Sequence, residues 1–150
     1  MRALVQRVSR AEVRVEGQVV GSCGHGFLIL LGVKPDDTEE LAVKLAQKVA
    51  KLRVFEDDAG KMNLDIANVA GECLVVSQFT LYGSVRDGNR PGFSYAARPE
   101  VAEPLYDRFC AHLRELGVPV ATGSFGAMME VELVNDGPTT IWLDSEELYA

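Results

Sequence analysis

The run "GFLILLGV", Gly26 to Val33, constrains the fold more than any other stretch. It is apolar without alternation and only long enough for a strand, so both of its faces must be covered. "ECLVVSQF", Glu72 to Phe79, has the same character and supplies another central strand. Ahead of them, "ALVQRVSRAEVRVEGQVVGSC" alternates apolar and polar residues with Gly17 and Gly21 as punctuation, the pattern of short antiparallel strands. Thr38 is placed to cap an amphipathic helix through about Leu52, with Leu41, Leu45, Val49 and Leu52 on one face. A short strand at "VF" and an exposed turn at "EDDAGKMN" follow. A second helix is predicted from roughly Glu100 to Leu116, stopping at Gly117. Pro104 removes one of its backbone bonds, so that helix either starts late or kinks. "VPVATG", "AMMEVELV" and "TTIWL" close the chain as strands. Strands outnumber helices and do not alternate with them. The fold class is therefore α+β, one domain over residues 1–150 with a mixed, largely antiparallel, barrel-like sheet and two helices.

A chain of 150 residues buries a proper core without staples. Met1 is followed by polar-apolar alternation and no run approaches transmembrane length, so no membrane partner is expected. Cys23, Cys73 and Cys110 are odd in number and widely spaced, which argues against a disulfide framework and for a reducing, cytoplasmic setting. The net charge of −7 lacks the basic excess usual in nucleic-acid binding. Its distribution is uneven. From Glu100 onward ten acidic residues face two arginines, a balance of −8 that leaves +1 for residues 1–99.

Common catalytic signatures are missing: no Walker loop, no HExxH, no GxSxG elbow around Ser77. "GSCGHGF" is glycine-rich, but its spacing fails the dinucleotide fingerprint and reads as a tight turn. His25 and His112 are the only candidate imidazole bases, and neither has partner spacing suited to a metal. Two polar motifs remain. In "SQFTLYG", Ser77, Gln78 and Thr80 surround Phe79 where a core strand emerges, either to satisfy the strand end or to offer N–H groups to a carbonyl. "LVNDGPTTIWL" interrupts two strands with Asn135, Asp136, Gly137 and Pro138, ordinary turn residues. From the dipeptide alone Gly137–Pro138 is expected to be trans, since only about 5–6% of such bonds are cis.

"SQFTL" together with "NDGPTT" closely resembles the motif pair of the D-aminoacyl-tRNA deacylases (D-tyrosyl-tRNA(Tyr) deacylases). "GKMN", "NRPGF", "TGSFGAMM" and the opening "RVSRAEVRVEG" are similar to that family as well, in its order and across essentially the whole chain. Gly92, Thr139 and Pro104 depart from the pattern outside the core of either motif. The resemblance implies a homodimeric esterase that cleaves a D-amino acid or glycine from the terminal adenosine of tRNA and rejects the L form, without cofactor or metal. It implies a cis Gly137–Pro138 that reaches into the partner subunit's site. The backbone N–H groups of Phe79 and Thr80 would hold the ester carbonyl, Gly137 would receive the α-amino group, and Ser77 and Gln78 would brace the surface. The substrate's own 2′-hydroxyl would assist, with Thr80 as nucleophile the second possibility. Arg7, Lys61, Arg86 and Arg90 are expected at the tRNA phosphates. Two other readings stand beside this one: a small-ester esterase with its own Thr or Ser nucleophile, and a noncatalytic nucleic-acid-associated module.

Overall fold

The computed structural model describes residues 1–149. Its spine is β1 (Arg2–Val15), which uses both edges along its length. On one edge it pairs first with β3 (Gly26–Gly32) and then with β2 (Gln18–Cys23), both antiparallel. On the other edge it carries β8 (Glu130–Asp144), also antiparallel. β6 (Glu72–Ser77) joins β3 in parallel, and β7 (Val120–Thr122) joins β6 in parallel. The sheet curls until β2 meets β7: a Cβ on Gly21 would lie 2.1 Å from the Thr122 carbonyl oxygen. A separate hairpin of β4 (Phe55–Glu56) and β5 (Met62–Leu64) stands outside it.

Two clusters explain why β3 and β6 are apolar on both faces. Phe27, Ile29, Leu31, Cys73 and Val75 point to a core roofed by α1 (Glu39–Lys51) and α2 (Pro99–Glu115). Leu28, Leu74 and Val76 point the other way, into the curl, where they meet Val8, Ala11 and Val13. Each fully buried Leu, Ile, Val or Phe stabilises by about 1.5–3 kcal/mol. The alternation rule therefore holds in these strands, with an apolar destination on either side.

α1 begins where the sequence indicates. Thr38 Oγ1 accepts from Leu41 N–H at 3.2 Å, a cap worth about 1 kcal/mol. α2 does not start late; it runs from Pro99 to Glu115 with Pro104 inside it. Pro104 and Glu100 are both exposed, so the Glu100 carbonyl deprived of its i+4 donor can turn to water. The prediction of two helices requires one correction. A third, α3 (Ser145–Tyr149), follows β8, with Asp144 Oδ1 accepting from Glu146 N–H at 2.9 Å. Five residues are too few to show a helical period in sequence. Nor does "NDGP" separate two strands: β8 passes through it as one strand with a wide bulge.

Candidate active site

β6 delivers the first motif. Ser77 pairs with Leu31, and Gln78 N–H donates to the Leu31 carbonyl at 2.8 Å, holding the chain to β3 for one more residue. It then winds into a 3-10 turn, Phe79–Tyr82. Gly32 makes this possible, since a Cβ there would stand 3.1 Å from both the Gln78 carbonyl oxygen and Leu81 Cβ. The opening N–H groups of any helix lack intrahelical acceptors. Here those of Phe79 and Thr80 donate to no acceptor among the described residues. The Gln78 side-chain amide donates to Thr80 Oγ1. Phe79 is 57% exposed and meets Phe93 edge-on, ring centroids 5.0 Å apart.

These groups open onto a cavity of about 740 Å³, walled by Phe79, Phe93, Tyr106, Phe125 and Met129 beside Ser77, Gln78 and Thr80. Among the described residues no carboxylate, imidazole, ammonium or guanidinium lines it. Among the described residues that line it the one titratable side chain is Tyr106, whose hydroxyl donates to the Val75 carbonyl at 2.6 Å; burial pushes that phenol far above its ordinary range, so it stays a neutral donor. Sequence reasoning located the polar rim but not these walls. Phe93 and the pair Phe125 and Met129 lie inside "NRPGF" and "TGSFGAMM", while Tyr106 looks like any helical core residue.

The second motif lies elsewhere on the same chain. Val8 pairs with Asn135 and Gln6 with Thr140, so four residues of β8 face Arg7 alone. The Asn135 side chain closes this bulge, donating to the carbonyls of Arg7 (3.2 Å) and Thr139 (2.9 Å) and accepting from Thr139 N–H at 3.1 Å. Gly137 and Pro138 are exposed at its tip, and the peptide between them is cis. That differs from the expectation for an isolated dipeptide and agrees with the one that the resemblance carries. Three strand spacings and four residues separate the bulge from Ser77, roughly 20 Å along the sheet. One chain does not bring the two motifs together.

Arg7 does not fit the phosphate contact expected of it. It is 6% exposed, and its guanidinium donates to the Asp136 carbonyl at 3.1 Å and to the Val54 carbonyl, and lies 3.3 Å from the Asp136 carboxylate. It anchors the bulge from beneath. Lys61, Arg86 and Arg90 are exposed, Lys61 just before β5 and the two arginines in the loop that follows the 3-10 turn. Neither histidine lines the cavity: His25 Nε2 stands 3.9 Å from the Asp136 carboxylate, and His112 Nδ1 is 2.9 Å from Glu115. All three cysteines are buried and unpaired. Burial pushes the Cys23 thiol up to about 11 and that of Cys110 up to about 12, with Cys73 higher still. Among the described residues no acidic, His and Cys cluster could hold a metal, and no helix is long and apolar enough to cross a membrane.

The D-aminoacyl-tRNA deacylase of Anaeromyxobacter dehalogenans (strain 2CP-C) is 63% identical over 149 residues, covering 99% of this chain and all of that one. Among solved structures, the c-Myc DNA unwinding element binding protein superposes with a TM-score of 0.91 at 42% identity, over 97% of this chain and 99% of its own. A probable eukaryotic D-amino acid tRNA deacylase shares the fold, with a TM-score of 0.79 at 20% identity over 95% and 97% of the two chains. The family model for D-Tyr-tRNA(Tyr) deacylase matches residues 4–144, and the chain belongs to that family.

Proposed function

We propose that this protein hydrolyses the ester of D-aminoacyl-tRNA, and of glycyl-tRNA, while sparing the L form. The observation that carries the reading is the pair of unengaged N–H groups of Phe79 and Thr80 at the mouth of a cavity where no described carboxylate, imidazole, ammonium or guanidinium is at hand. Such a pair suits the oxyanion that forms when an ester carbonyl is attacked. One well-placed donor is worth about 2.7–4 kcal/mol, or 10² to 10³ in rate. Positioning contributes further, and an aminoacyl ester is labile to begin with. The nearest side-chain partner of the Thr80 hydroxyl is the Gln78 amide, which is no base whichever way it is turned. The substrate's 2′-hydroxyl is therefore the better candidate to assist attack than Thr80 is to make it.

Separation of the two motifs supports a homodimer in which the Gly137–Pro138 tip of one subunit completes the other's cavity. In this reading Gly137 receives the α-amino group and rigid main chain blocks an L side chain. Rejection by about 10⁴ requires roughly 5.5 kcal/mol, which a steric clash supplies more readily than an attractive pocket. Glycine, having nothing to clash, passes. Lys61, Arg86 and Arg90 meet phosphates, in cytoplasm. The likeness to a DNA-element-binding protein favours a second reading, a nucleic-acid-binding module without catalysis. Single-turnover hydrolysis of D-tyrosyl-, L-tyrosyl- and glycyl-tRNA separates the two. Cleavage of the D and glycyl esters only is the expected result; equal D and L rates, or no cleavage, would remove the chiral-deacylase reading.

A further inference from the structure

The 3-10 turn and the loop after it have a second side. Thr80, Phe93 and Ala96 line the cavity described above, whereas Tyr82, Ser84, Ser94 and Tyr95 line another of about 740 Å³, completed by Arg2 and Lys34. Phe93 and Ser94 are adjacent in sequence and serve different cavities, so a single thickness of chain separates the two. The loop is pinned there by the Ser84–Gly92 bridge, with N–H to O distances of 2.8 Å in both directions.

The chemistry of this second cavity is specific. Tyr95 is 62% exposed, an aromatic ring on the wall with no other aromatic ring stacked on it among the described residues. Tyr82 is 5% exposed, and its hydroxyl has no hydrogen-bond partner among the described residues. An orphaned buried hydroxyl costs about 1–3 kcal/mol, so a polar occupant nearby is favoured. Ser84 and Ser94 add two small hydroxyls. The cations are engaged: Lys34 with Asp36 and Glu146, and Arg2 with Asp144 at 3.1 Å. An inner site balanced in charge is a poor trap for a bare anion. An aromatic face flanked by hydroxyls, with the exposed Arg86 and Arg90 on the same loop, instead matches an unpaired nucleotide whose base stacks and whose phosphate stays at the rim.

We infer that this second cavity binds the unpaired nucleotides that precede the terminal adenosine of the tRNA, with one base stacked on Tyr95. The inference rests on the deacylase reading, in which an ester carbonyl held at the Phe79 and Thr80 N–H groups sets the terminal adenosine beside the first cavity. It makes the wall between the cavities the point where the chain of the 3′ end crosses from one subsite to the next.

Two measurements with the full-length protein test it. Binding of the uncharged trinucleotide CCA is compared with binding of adenosine by calorimetry. The trinucleotide should bind about tenfold more tightly, Tyr95→Ala should erase that advantage, and Tyr95→Phe should keep it. In hydrolysis, Tyr95→Ala should raise KM about tenfold for D-tyrosyl-CCA while leaving KM for D-tyrosyl-adenosine and both kcat values within about twofold. Equal affinity of the wild-type protein for CCA and adenosine, or an equal effect of Tyr95→Ala on both substrates, would overturn the assignment. Failure of the wild type to cleave either ester would remove the deacylase reading, and the binding comparison would still decide whether the second cavity takes a nucleotide.

Discussion

Gly137→Ala is the substitution that most directly tests the bulge as a shaped element. Gly137 has φ +136°, and a Cβ added there would lie 2.4 Å from Thr139 Oγ1, 2.9 Å from Thr139 N and 3.0 Å from an Arg7 guanidinium nitrogen. Backbone strain at such a φ costs about 1–3 kcal/mol for a residue with a side chain. Overpacking against the backbone nitrogen and the buried arginine adds about 1–3 kcal/mol. If the bulge keeps its form, the total of about 2–6 kcal/mol appears as a fall of roughly 5–20 °C in Tm. If the exposed tip yields instead, the fold is spared and the shape of the tip is lost. Thermal melting and the D-to-L rate ratio on tyrosyl-tRNA read the two routes separately. The ratio should fall about tenfold or more, equivalent to about 1.4 kcal/mol of lost discrimination. Combining the change with Thr139→Ala removes the 2.4 Å contact but neither the backbone contact nor the φ penalty, so rescue should be partial. A Gly137→Ala protein with wild-type Tm and an unchanged D-to-L ratio would refute the argument.

Thr80→Ala keeps the backbone N–H and should cost about tenfold or less in kcat; a folded, tRNA-binding protein with no activity would instead make the hydroxyl the nucleophile. A substrate ending in 2′-deoxyadenosine should bind and turn over very slowly, and normal turnover would end the substrate-assisted mechanism. Arg90→Ala should lower the salt slope of tRNA binding by about 1, measured from 50 to 200 mM salt. Thr139→Val replaces a buried hydroxyl that has no partner among the described residues, so urea denaturation should show unchanged or slightly raised stability. The three cysteines should resist Ellman's reagent at pH 8 in the native state and react on unfolding. Because the Cys23 thiol is raised from 9.0 to about 11, the unfolded chain loses its proton first, and stability should decline as pH rises from about 9 to about 11.

The parts of this fold that depend on local pattern were readable in the chain. Continuous apolar strands need two cores, and β3 and β6 have them; Thr38 caps α1 as its position demands. What could not be read depends on contacts distant in sequence. Arg7 looks like one more arginine in an alternating strand, yet its register opposite the bulge of β8 turns it into a buried anchor. Pro104 looks like a helix breaker until its exposed face shows where the freed carbonyl can go. Residues of the cavity wall come from four segments, and no spacing rule connects Phe93 with Tyr106, Phe125 and Met129. The polar rim was legible because Ser, Gln and Thr at the end of a buried strand conflict with the pattern that precedes them.

The absence of familiar catalytic signatures from the sequence has a physical cause in this architecture. In the proposed reading the working groups are main chain: two N–H groups where β6 turns and a glycine-proline tip on β8. Main-chain groups are the same for every residue type but proline, so a sequence records them chiefly through the residues that shape them. Gly32 is small because the turn passes 3.1 Å from its Cβ position, and Gly137 carries a φ that other residues resist. Asn135 and Arg7 hold the tip from the side and from below. A filter built this way cannot read the identity of an amino-acid side chain, because it offers no side-chain pocket to match. It can read handedness, since the position of a Cβ relative to rigid backbone is the one property that L and D residues do not share. The same construction that hides the site from motif searches thus suits the proposed selection of one hand across many amino acids.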